Sequence, residues 1–119
     1  MQTLDIPETF PLDDTASSQK TMYLILYPDL CQEEVVQLLD SVGVPGFTET
    51  RKVTGRGQRG RHFDNSIWPG ADGMIYVAVG PTHRRALASA LTNYNRSLEL
   101  RSRGLSGLHV FTWQCDQLL

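Results

Sequence analysis

The sequence predicts an α+β sandwich of element order βαββαβ, with a four-stranded antiparallel sheet and two helices on one face. Three observations carry that prediction: four β-favouring runs, two apolar stripes at helical spacing, and an order that sets each stripe between two runs. At 119 residues with 40% apolar side chains, the chain can supply one modest core and fits a single domain.

Residues 1 to 20 hold two prolines and little periodicity, so they are read as a flexible N-terminal tail ahead of a domain at 21 to 119. MYLILYP, residues 22 to 28, is apolar at both alternating sets of positions and needs cover on both sides. Asp29 followed three residues later by Gln32 has the spacing of a capping box. Val35, Leu38, Leu39 and Val42 then recur at helical spacing until Gly43, which predicts a helix near 30 to 42. A strand is expected near 47 to 54. The stretch that follows, TGRGQRGRHFDNSIWPGAD, is too rich in glycine and charge for regular structure and reads as a long loop. GMIYVAV, residues 73 to 79, is a second two-sided strand. Pro81 then opens a helix near 82 to 99 with a buried stripe of Leu87, Ala90, Leu91, Tyr94 and Leu98. RSRGLSG is a turn, and LHVFTWQ, residues 108 to 114, is the last strand. Two right-handed crossovers within one sheet put both helices on the same face, which is the ferredoxin-like sandwich.

That architecture has a consequence for assembly. Its helices cover one side of the sheet, yet the first and third strands are apolar on both, so the second side needs another cover. Further copies of the chain supply it in the reading preferred here, and the N-terminal arm supplies it in the alternative.

Charge points to the kind of ligand. Residues 1 to 50 hold nine acids and one base, whereas residues 51 to 119 hold ten bases and four acids, a net of +6. RKVTGRGQRGR, residues 51 to 61, places five bases and three glycines in eleven positions without an acid. Glycines let backbone N–H groups approach an oxyanion and arginines add bidentate donors, so the composition suits a phosphate or carboxylate. It also suits a solvated loop with no ligand. Arg101, Arg103 and Gly104 form a second basic cluster, which the dipole of the preceding helix would favour in any case. In a sandwich that oligomerises through its sheet, these two segments can meet across a subunit boundary.

From Tyr23 to Trp113 the order of elements resembles the PII-like signalling proteins. GVPGFTE leads into the second strand, KVTGRGQRG stands at the base of that family's T-loop, and RGLSGLHVF resembles its B-loop and the strand after it. The resemblance implies a homotrimer with a small anionic effector, specifically an adenine nucleotide (AMP, ADP or ATP), in each cleft between subunits. The ligand-binding residues it implies are Thr48, Gly55, Arg56, Gly57, Gln58, Arg59, Gly60, Arg101, Arg103 and Gly104. It further implies a partner protein, a transporter or an enzyme, engaged through the loop 55 to 72. Two departures qualify the resemblance. The loop carries no tyrosine, so uridylylation is not expected, and the family's phosphate-binding B-loop lysine would fall near Leu108. A mono- or diphosphate is therefore expected to bind at least as well as a triphosphate. The related CutA trimers share the fold and are linked to divalent ions, which gives the alternative reading of a metal-responsive trimer. His62 with Asp64 is then the best pair; Cys31, His83, His109 and Cys115 show no ligand spacing.

Other classes are excluded on the residues. No run of 18 apolar residues exists and the N-terminus has no signal-peptide pattern, so a cytoplasmic protein with no membrane insertion is expected. Cys31 and Cys115 are read as reduced thiols. Neither a nucleophile elbow nor a carboxylate pair appears, so the chain is read as a non-enzyme without a prosthetic group. The aromatic pattern of RNA-binding sandwiches is missing too, which argues against a nucleic-acid partner. Trp68 either anchors the long loop or meets a ligand.

Overall fold

A computed structural model of the chain describes residues 18–51 and 72–119. The elements are β1 (Gln19–Tyr27), a single 3-10 turn (Asp29–Cys31), α1 (Gln32–Val42), β2 (Thr48–Arg51), β3 (Gly73–Val79), α2 (Pro81–Arg101) and β4 (His109–Asp116). The order is the predicted βαββαβ, and the strands lie as β2-β3-β1-β4 with every pairing antiparallel. The two strands that are apolar on both faces, β1 and β3, are the two in the centre.

The register fixes which side chains meet the helices. Ile25 lies opposite Ile75 on one side and Val110 on the other, and Tyr23 lies between Val77 and Thr112. Tyr23, Ile25, Tyr27, Ile75, Val77 and Val79 are all buried on that face. Against them α1 packs Val35 and Leu39, and α2 packs Leu87, Leu91 and Leu98, the spacing anticipated for both helices. Each of these aliphatic side chains contributes roughly 1.5–3 kcal/mol by leaving water, which makes this layer the domain's main source of stability.

The opposite face is open. Leu26 and Lys20 are buried there, but Tyr76, Phe111 and Trp113 remain 37%, 44% and 44% exposed, in a row with Met22 and Leu24 between them.

Helix ends follow the sequence in two cases and depart from it in one. Pro81 occupies the first turn of α2. Gly43 ends α1 at φ 87°, where its N–H and that of Val44 both donate to the Leu39 carbonyl, at 3.1 and 3.3 Å. The capping box does not form. Asp29 starts the 3-10 turn instead, Cys31 stands at the N-cap of α1 without a side-chain bond, and the Asp29 and Gln32 side chains turn toward β2. The cause is competition: Arg51 and Glu49 offer these two groups charged partners, which are stronger than a neutral backbone N–H. Boundaries shift modestly. β1 begins at Gln19, inside the segment read as tail; α2 runs on to Arg101; and β4 covers His109–Asp116. The predicted second strand is described only over Thr48–Arg51. Residues 52–54, the basic segment Gly55 to Gly60, His62, Asp64 and Trp68 lie outside the described residues.

Gly73 is fixed by packing, since a Cβ there would overlap the Tyr27 ring. Gly73→Ala should destabilise the fold by about 1–3 kcal/mol in urea unfolding, the usual cost of overpacking. In a double-mutant cycle with Tyr27→Leu the two changes should couple favourably. An unchanged midpoint in the glycine variant would contradict this packing.

Candidate functional site

Two chain segments converge on one end of the sheet. Tyr27 pairs with Gly73, which pairs with Arg51, and Leu26 pairs with His109. The exit of β2 and the turn before β4 therefore lie at the same end. They stand on opposite edges, however, three strand spacings or about 14 Å apart at 4.7–4.9 Å each.

At the β2 side, six residues tie the chain ends that flank residues 52–71. The Tyr27 hydroxyl donates to Glu49, whose carboxylate also accepts from Gln32 Nε2 at 3.1 and 3.3 Å. Arg51 Nη2 donates to Asp29 Oδ1 at 3.0 Å, and the Asp29 backbone N–H donates to Asp72 Oδ2 at 3.0 Å. Asp72 in turn donates its N–H to the Tyr27 carbonyl at 2.9 Å. Asp29 thus holds Arg51 with its side chain and Asp72 with its backbone. Burial, reinforced by the Glu49 hydrogen bond, pushes the Tyr27 phenol well above its ordinary value of 10 and keeps it a donor.

At the β4 side, α2 closes into a compact turn. Arg103 and Gly104 are both left-handed, at φ 57° and 81°. The Gly104 N–H donates to the Glu99 carbonyl at 2.8 Å, the Ser106 N–H donates to Ser102 Oγ at 2.9 Å, and the Leu108 N–H donates to Asn95 Oδ1 at 2.7 Å. Arg103 is exposed and makes no ion pair among the described residues. Arg101 is committed elsewhere: Nη2 donates to Glu34 Oε1 at 3.2 Å, and the guanidinium lies 5.9 Å from the Tyr94 ring centre. Hydrogen bonds from Tyr94 and then Arg101 hold the Glu34 carboxyl below its ordinary range. Leu108, at the position where the resemblance would put a phosphate-binding lysine, is buried, so no cation of β4 reaches the turn from there.

Of the described candidates, Thr48 lies on the open face in register with Tyr76, Leu24 and Phe111, at the edge of the sheet remote from Arg103 and Gly104. One chain does not bring Thr48 and the turn together. Among the described residues, no group of three or more His, Cys, Asp or Glu stands together as a metal site, and no helix is long and apolar enough to cross a membrane. The sequence reading missed the Tyr27–Glu49–Gln32 and Asp29–Arg51–Asp72 contacts. Their signal was Glu49 and Arg51 at alternate positions of a strand whose neighbours gave them no reason to be charged.

No family model matches the sequence, and no curated protein matches it. Solved structures do share the fold. CPII from Thiomonas intermedia K12, a nitrogen regulatory PII-like protein, is similar in its apo form with a TM-score of 0.53 and 18% identity, over 83% of this chain and 94% of that one. CPII bound to ADP, AMP and bicarbonate gives 0.53 and 20% identity, over 85% and 97%. CPII bound to ADP, AMP and acetate gives 0.53 and 20%, over 82% and 86%. This chain has the ferredoxin-like fold of the PII-like regulatory proteins.

Burial raises the phenols of Tyr23, Tyr27 and Tyr94 alike. A phenol whose folded pKa exceeds its unfolded value contributes stability that is complete below the unfolded value and is lost as pH rises above it. Stability should therefore hold up to about pH 10 and then fall. The slope of that fall should be shallower in Tyr27→Phe, as read by urea midpoints across the alkaline range. Ordinary titration near pH 10 of the Tyr23, Tyr27 and Tyr94 phenols in the folded protein, followed residue by residue, would contradict the burial.

Proposed function

We propose that this chain is a PII-like regulatory protein: a homotrimer, assembled through the open sheet face, that binds an adenine nucleotide between subunits and controls a partner protein, a transporter or an enzyme, through the loop 55 to 72. It acts by binding and performs no catalysis. The observation that carries this reading is the register. The exit of β2 and the turn of Arg103 and Gly104 share one end of the sheet but stand on opposite edges, which favours a site drawing on both where the β2 edge of one copy meets the β4 edge of another. The ADP and AMP bound by CPII, a protein of the same fold, support the choice of ligand.

In this reading Arg103, exposed and without an ion pair among the described residues, supplies a charge-assisted hydrogen bond to a phosphate oxygen, and the left-handed Gly104 lets the ligand approach the backbone. From the neighbouring copy, Thr48 and the segment Gly55, Arg56, Gly57, Gln58, Arg59 and Gly60 complete the site, the glycines offering amides and the arginines bidentate donors. Arg101 joins only by leaving Glu34, an exposed ion pair of the kind that is weak and screened by salt.

Calorimetry with AMP, ADP and ATP tests this. Arg103→Ala should weaken nucleotide binding by roughly 10- to 150-fold and leave the assembly intact, since a hydrogen bond to a charged group contributes about 1.5–3 kcal/mol. Arg101→Ala should weaken it less. ADP should bind at least as tightly as ATP. No heat with any of the three nucleotides, or unchanged affinity in Arg103→Ala, would overturn the site.

A further inference from the structure

α2 presents two stripes, and the core uses only one. Leu87, Leu91 and Leu98 enter the core, while Arg84, Ala88, Thr92 and Asn95 follow each other along the side that looks over β4. The strand beneath is correspondingly unlike a core strand. Its helix-facing residues run Val110, Thr112, Gln114, increasingly polar toward the start of β1; Val110 is half-buried against the core, while Thr112 and Gln114 are exposed. Between helix and strand lies a groove of about 620 Å³, within the range of small-molecule pockets.

The two ends of the groove differ. Ala88 and Leu91, about one turn apart on α2, give an apolar lining together with Leu108 and Val110. At the other end stand Arg84 and Arg85, neither of which has an ion-pair partner among the described residues. Close to them, Tyr23 donates its hydroxyl to the Arg84 carbonyl at 2.8 Å, and Gln114 accepts from Thr21 Oγ1 at 3.3 Å through its amide oxygen. That leaves the Gln114 amide nitrogen as a further donor. Guanidinium pairs match carboxylates bidentately, and an apolar trough leading up to them matches a hydrocarbon or aryl body.

We propose that the α2–β4 groove is a ligand site for an amphipathic carboxylate, its acid held by Arg84, Arg85 and Gln114 and its apolar body laid along Leu91, Leu108 and Val110. The site is separate from the one between subunits. Arg84 precedes Arg101 by seventeen residues of one helix, about 25 Å at 1.5 Å per residue.

Octanoate titrated into the full ¹⁵N-labelled chain tests the site through amide chemical shifts. Saturable shifts are expected at Leu91, Asn95, Thr112 and Gln114. Octan-1-ol, which has the chain without the charge, and acetate, which has the charge without the chain, should each bind at least about tenfold more weakly. The double variant Arg84→Ala/Arg85→Ala should also lose at least about tenfold, consistent with charged hydrogen bonds. Both arginines are exposed, so the fold tolerates their loss. Ala88→Trp, which fills the groove from an exposed position, should abolish the shifts while leaving adenine-nucleotide heats unchanged. Equal affinity for the alcohol, full affinity in the double variant, shifts confined to Phe111 and Trp113 on the other face, or no saturation by about 10 mM would each overturn the proposal.

Discussion

β1 is bonded on both sides along nearly its whole length, to β3 over Thr21–Tyr27 and to β4 over Gln19–Leu26, and it is apolar on both faces. The rest of the molecule depends on that condition. A strand in this position transmits its two-sidedness to the sheet, so Ile75, Val77 and Val79 continue the helix-facing layer of β1 while Met74, Tyr76 and Ala78 continue the other. Two helices joined by right-handed crossovers can cover only one of these layers. The exposed row of Tyr76, Phe111 and Trp113 is the remainder, and it is the face through which assembly is proposed.

The same topology decides where ligand chemistry can occur. The ends of the segment 52–71 are fixed at Arg51 and Asp72 through Asp29, and the ring of Tyr27 rests on Gly73 beneath them. On the far edge, the turn after α2 is held by Asn95, Ser102 and Glu99, leaving Arg103 exposed and without an ion pair among the described residues. Arg51 and the turn of Arg103 and Gly104 stand on opposite edges of the sheet. The two sites proposed above divide the basic residues of 51 to 119 between them, with Arg84 and Arg85 of the α2–β4 groove standing well away from Arg103.

Much of this fold was legible in the sequence because its signals are local. Alternation marked MYLILYP and GMIYVAV, the 3.6-residue period marked Val35, Leu39, Leu87, Leu91 and Leu98, and Gly43 and Pro81 marked helix ends through their own backbone limits. What failed was a local rule defeated by distant partners. Asp29 and Gln32 have capping-box spacing, but Arg51 and Glu49, brought alongside by the sheet, outcompeted the helix N-terminus. The site was legible as composition, in the arginines and glycines, but not as geometry. Nothing in the spacing of Arg101 reveals that Glu34 and Tyr94 hold it, and the groove beside α2 needed the unequal reach of helix and strand. In retrospect Thr112 and Gln114, polar at positions a core strand would fill with aliphatic residues, were its trace in the sequence.

Burial of the open sheet face between copies is the claim on which the composite nucleotide site rests. Sedimentation equilibrium on the full chain at micromolar concentration measures it directly. The predicted result is a single species of three times the 13.3 kDa chain mass, reduced to one chain mass by Trp113→Asp. A wild-type protein that sediments at 13.3 kDa, with Phe111 and Trp113 left in water, would contradict it.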